Sequence, residues 1–210
     1  MITIEKYKND PCRALSIPYW KAKKLSVPPN MKIVHDSEFD AALLEKYDDR
    51  KYFRLIHHLK TIPEFNVMEF EFGGISTDMT YELCDMINHS YAHSSIGVSA
   101  DCIRTLTASE VCCPDLWIGA FFDKSIIGSV ICEFDKHTGE AAIEWLQVLP
   151  DYRNRGIASA LVCRALKKMY GIAGFATVSG ECDNPTEPER VYRKCGFEGG
   201  DIWHILEVRI

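Results

Sequence analysis

A chain of 210 residues that is 47% hydrophobic carries enough apolar material for one core of ordinary size, or one domain with a small appendage, which excludes general disorder. Its 24 basic and 30 acidic residues give a net charge of −6. That balance argues against nucleic acid or an anionic membrane surface as the main partner and suits a cationic or neutral small molecule.

The N-terminal MITIEKYKND lacks the basic start and apolar run of a signal peptide, and no apolar stretch reaches the length of a membrane helix. The nine cysteines are scattered, odd in number and without a C-x-x-C pair, as expected of reduced thiols packed as small core residues. A soluble cytoplasmic protein is the expectation.

Up to residue 66 the chain is punctuated by proline (DPCRALSIPYWK, LSVPPN), and two short helices are expected, SEFDAALLEKY and DRKYFRLIHHLK. This first third, residues 1–66, reads as an extension or small subdomain packed on a larger domain of residues 67–210. Its aromatic residues Tyr19, Trp20, Tyr52 and Phe53 would cover one side of a sheet or line a pocket.

From residue 67 the pattern is regular. VMEFEFGG alternates as a half-buried strand, and TDMTYELCDMINHSYAH follows as a capped helix with Met79, Leu83, Met86 and Ile87 on one face. A short helix near ADCIRTL precedes LWIGAFFD and SIIGSVICEFD, two strands joined as a hairpin at Asp123-Lys124. AAIEWLQVLP is a strand closed by Pro150, and IASALVCRALKKMYG is a helix ended by Gly171. GFATVSGECD, a last helix around PERVYRKCG, and DIWHILEVRI complete the order. A meander followed by crossover helices implies an α/β fold: a central mixed sheet with helices on both faces.

Between the strand AAIEWLQV and the helix IASALV lies LPDYRNRG. Unpaired N–H groups at a helix start, its dipole and a glycine that admits close approach together suit an anion, to which Arg153 and Arg155 would add charge. A solvated turn is the plain alternative. Gly156 stands alone, so neither a P-loop nor a dinucleotide fingerprint fits.

Arg153, Asn154, Arg155, Gly156, Ile157 and Ala158 match the Q/R-x-x-G-x-G/A signature, and Asn184 followed by VYRKCGF matches a second motif downstream. On these motifs residues 67–210 resemble the GNAT acyltransferases. The resemblance implies a sheet with a V-shaped splay and acetyl-CoA as co-substrate, its pyrophosphate on the backbone of Arg153 to Ser159, with Asn184 beside the cofactor. It also implies that the backbone near Gln147 and Val148 pairs with the pantetheine and polarises the thioester carbonyl. The acceptor would be a primary amine of a small molecule or of a protein, and a homodimer is an expectation because exposed strand edges in such folds often pair.

Tyr192 corresponds to the family tyrosine near the sulfur and is the candidate general acid; packing against the sheet is its alternative role. Glu144, the one carboxylate inside an apolar strand, is expected to share a face with Leu146 and Val148. It would serve as base directly or through water, or bind a cation. His89 and His93 have a metal-like spacing without a third ligand, so no metal is expected. A non-catalytic acyl-CoA-binding sensor or interaction module is the other functional class.

Overall fold

The computed structural model describes residues 2–92 and 97–209. Three short helices open the chain: α1 (Ile4–Asn9), α2 (Pro11–Ala14) and α3 (Tyr19–Lys24). Thr3 and Asp10 start the first two by accepting the N–H groups of Lys6 and Arg13 with their side-chain oxygens, each at 3.3 Å. The strand β1 (Met31–His35) follows.

The two helices expected next are absent. Residues 36–38 and 41–45 form separate 3-10 turns, and residues 47–57 form the strand β2 (Tyr47–His57). Phe53, Arg54, Leu55 and His57 are all buried. A strand buried on both faces loses its alternation of apolar and polar residues, and a short run of that kind reads like a helical segment.

From residue 67 onward the expected elements are present. They are β3 (Glu71–Gly74), α4 (Thr80–Ser90), α5 (Ala100–Thr107), β4 (Ile118–Phe122), β5 (Ser125–Asp135), β6 (Glu140–Val148), α6 (Ile157–Met169), β7 (Phe175–Glu181), α7 (Pro188–Lys194) and β8 (Glu198–Val208). Asp123 and Lys124 both have positive φ, 47° and 68°, the backbone that a tight two-residue hairpin requires. Among the described residues no helix is long and apolar enough to cross a membrane.

The strands form one mixed sheet in the order β1-β8-β2-β7-β6-β5-β4-β3. β2 lies between β7 and β8, so the boundary expected at residue 66 does not divide the sheet: the first third supplies an internal strand as well as a covering layer. On one face α6 and α7 bury Leu161, Leu166 and Tyr192 against Ala141, Ile143 and Val178. The other face carries α4 and α5, which pack Leu83, Ile87 and Ile103 against Ile131. Trp20 of α3 packs against Ala142. Successive strand residues point to opposite faces, so α3 and α6 lie on opposite sides of β6.

β6 and β7 form the parallel pair of the sheet, in register only from Glu140↔Phe175 to Ile143↔Val178. Beyond Ile143 the two strands part, β6 staying on β5 and β7 on β2, and the sheet opens as a V. The root of the V is held by a buried network. Arg54 Nη2 donates to Glu140 Oε1 at 3.1 Å and to the Tyr7 hydroxyl at 2.9 Å, and that hydroxyl donates to Glu140 Oε2 at 2.7 Å. Burial pushes the Glu140 carboxyl up while the Arg54 charge pulls it down. Breaking such a pair from one side leaves an uncompensated buried charge, a cost of about 3–5 kcal/mol.

Candidate active site

The turn LPDYRNRG runs from the open end of β6 to the start of α6. Asn154 and Gly156 both take left-handed backbone, φ 61° and 80°, and bring the chain round onto the helix axis. A Cβ on Gly156 would stand 3.3 Å from Val67 Cγ2. No side chain caps α6, and Ala160 N–H makes the first helical bond, to Gly156 O at 3.0 Å. The preceding N–H groups, at Ile157, Ala158 and Ser159, therefore have no partner within the helix. They border a cleft of about 310 Å³. An uncapped helix start next to a left-handed glycine can hold an anion by backbone alone.

Both arginines of the turn are engaged by protein groups. Arg153 lines the cleft, but its guanidinium donates to Val148 O at 3.1 Å and Ser90 O at 2.8 Å, tying the end of α4 to the end of β6. Arg155 turns outward to Glu69 and lies 4.8 Å from the Phe70 ring centre. Two further basic residues at the cleft wall are Arg190 and Lys194 of α7. Their i, i+4 spacing, legible in PERVYRK, was the signal that could have found them.

On β6 the backbone of Gln147 and that of Val148 face opposite ways. Leu149 N–H donates to Ile127 O of β5 at 2.9 Å, so Val148, one residue earlier, directs its N–H and carbonyl away from β5 and into the splay. Gln147 faces β5, where a Cβ on Gly128 would stand 2.9 Å from its carbonyl oxygen, and its side-chain amide donates to Ser129. Of the two, Val148 alone turns its N–H toward the V, its carbonyl being taken by Arg153.

Glu144 does not share a face with Leu146 and Val148. The register slips from Cys132↔Ile143 to Ile131↔Trp145, a bulge that leaves Glu144 as the extra residue and resets the alternation after it. Leu146 and Val148 pack on the α6 side. The Glu144 carboxylate instead accepts a hydrogen bond from Lys21 of α3, whose Nζ also lies 3.7 Å from Glu133 Oε2. Burial and the neighbouring Glu144 charge push Glu133 up to about 6, against the pull of Lys21.

Tyr192, on the buried face of α7, is 5% exposed, with its ring centre 6.2 Å from Phe53 and 5.7 Å from Phe197. Burial raises its pKa far above the usual phenol range, so the hydroxyl keeps its proton and is able to donate it. Asn184 is not at the cleft wall; its Oδ1 accepts from Thr186 N–H at 2.9 Å and Thr186 Oγ1 at 2.7 Å, shaping the turn into α7. His89 is exposed at the end of α4, and His93 falls outside the described residues.

The model of the acetyltransferase (GNAT) family matches residues 83–197, more than half of the chain. This chain belongs to the GNAT acetyltransferase family. The matched segment runs from α4 to the end of the VYRKCGF motif. A Pectobacterium atrosepticum acetyltransferase is 46% identical over 56 residues, 27% of this chain and 38% of that protein. The chain thus spans well under two thirds of this relative. A GCN5-related N-acetyltransferase from Sphaerobacter thermophilus has the same fold, with a TM-score of 0.72 at 18% identity over 90% of this chain and 64% of that one. The PaiA N-acetyltransferase of Thermoplasma acidophilum, solved with coenzyme A, has a TM-score of 0.51 at 20% identity, covering 68% of this GNAT chain and all of its own.

Proposed function

We propose that this GNAT chain transfers an acetyl group from acetyl-CoA to a primary amine by direct attack of the amine on the thioester. The observation that carries the reading is the uncapped, glycine-led start of α6 opening onto a cleft at the parting of β6 and β7. The coenzyme A complex of the PaiA relative supports the choice of cofactor. Acetyl-CoA supplies an acyl carbon already activated as a thioester. The chain's own groups hold and orient it. The N–H groups of Gly156 to Ser159 take the pyrophosphate, with Arg190 and Lys194 adding positive charge beside Arg153 and Arg155. Val148 N–H, directed into the splay, meets the pantetheine arm.

On the far side of β6 the Glu144 carboxylate takes the proton of the acceptor ammonium, directly or through water. The Tyr192 hydroxyl, which stays protonated, donates to the departing sulfur. The acceptor is a small-molecule amine or a protein amino group; the carboxylates of Glu133 and Glu144 favour one that arrives as a cation.

Thiol release from acetyl-CoA, followed across polyamines, aminoglycosides, amino acids and peptide N-termini, tests this. Tyr192→Phe should lower turnover by about 10²-fold with coenzyme A affinity unchanged. A flat response to every amine, with no thermal stabilisation by acetyl-CoA, would overturn the reading. Tight binding without transfer would make the chain an acyl-CoA-binding module instead.

A further inference from the structure

The acceptor side of β6 already holds an amine of the chain itself. Lys21 reaches from α3 to the bulge of β6, where its Nζ hydrogen-bonds Glu144 and lies 3.7 Å from Glu133 Oε2. Glu133 is 4% exposed, and this oxygen has no hydrogen-bond partner, leaving the Lys21 ammonium as its counter-ion. The neighbouring Trp20 fixes α3 by packing on Ala142 and Val111. The other two lysines of the helix turn elsewhere: Lys23 lies 4.8 Å from the centre of the Tyr19 ring, and Lys24 pairs with exposed Glu110 at 2.9 Å.

The side chain of Lys21 is 29% exposed, that of Lys24 58%. Simple chemical acylation in solution would therefore favour Lys24. Lys21 differs from both neighbours in one respect that matters for acyl transfer: its nitrogen touches the carboxylate proposed as the base, on the strand proposed to present the thioester.

We propose that Lys21 is a site of self-acetylation, its side-chain amine serving as an acceptor in cis for acetyl-CoA bound in the β6–β7 splay. The step rests on the function proposed above. The N–C bond forms between Lys21 Nζ and the acetyl carbon, and the C–S bond breaks with its electron pair on the coenzyme A sulfur. One proton of the ammonium stays on the amide nitrogen, another passes through Glu144 to solvent, and the last ends on the sulfur. The product is a neutral amide that no longer compensates Glu133 and Glu144, so the acetylated chain loses the ion pairs that hold α3 on this face. Lys21 would then act both as a first acceptor and as the latch over the site that external amines use.

The test is intact-mass measurement and peptide mapping of the full chain incubated with acetyl-CoA and no added amine, alongside calorimetric titration with coenzyme A. Expected is one acetyl group on Lys21, with Lys23 and Lys24 bare, at a rate independent of protein concentration. Glu144→Gln should slow the step by about tenfold or more. If that variant does not fold, the selectivity for Lys21 over Lys23 and Lys24 in the unaltered chain decides by itself. Equal labelling of the three lysines, a rate rising with protein concentration, or a bare Lys21 overturns the proposal. A bare Lys21 in a chain that binds coenzyme A and acetylates added amines overturns self-acetylation alone. Absence of coenzyme A binding overturns the proposed function with it.

Discussion

The two faces of β6 are built by opposite means. On the α6 side the cleft is made of backbone: a left-handed Gly156, an uncapped helix start and the Val148 N–H, all within one stretch of chain. On the α3 side the site is made of side chains drawn from distant segments, with Lys21 set against Glu133 and Glu144. Backbone binding tolerates many side chains and is set by local geometry, whereas a charge cluster exists only once the fold has brought its members together. In the function proposed above, one face would keep a common cofactor while the other varies with the acceptor.

Both faces share the Arg54–Glu140–Tyr7 network at the root of the V, so the strongest way to break the contrast is to remove that root. Glu140→Gln leaves Arg54 buried with an uncompensated charge and should cost about 3–5 kcal/mol in chemical denaturation. It should also weaken coenzyme A binding and the Lys21 contact together. Loss of one face with the other intact would show that the root does not couple them.

A smaller change should separate the faces. Gly156→Val forces a β-branched residue into left-handed backbone, a strain of about 1–2 kcal/mol, and presses its Cβ toward Val67. Coenzyme A affinity measured by calorimetry should fall by about tenfold or more, while the α3 side is unchanged.

The α3 side should show its own pH signature. Glu133 titrates at about 6 in the folded chain, above its ordinary value of 4.5. The native state therefore holds more protons than the unfolded state between those values, and this group's contribution to stability falls as pH rises through that window. Thermal melts of Glu133→Gln should lack that component, and identical pH profiles for the two chains would contradict the assignment. Least affected should be the exposed Lys24–Glu110 pair, where Glu110→Ala should leave the thermal melt essentially unchanged.

The same contrast explains what could be read from the sequence. Gly156 and the small-residue start of α6 are contiguous, and VYRKCGF is a second short run at residues 191–197, so each motif was legible as a local pattern, as were the elements after residue 67. β2 was not, because burial of Phe53, Arg54 and Leu55 on both faces erased its alternation. The destinations of the Arg153 and Arg155 side chains depend on Ser90 and Glu69, partners far along the chain. The bulge at Glu144 is a property of pairing with β5, and no residue of EAAIEWLQV announces it. Lys21 in YWKAKK looks like any surface lysine until α3 is laid over β6.

The most direct test of the central claim is a backbone amide NMR titration of the full chain, first with coenzyme A and then with a primary alkylamine. Coenzyme A should shift Val148 and Gly156 to Ser159 first, and the amine should shift Lys21, Glu133 and Glu144. Coenzyme A shifts confined to the far edge at β1 and β8, with the α6 start unmoved, would contradict the account.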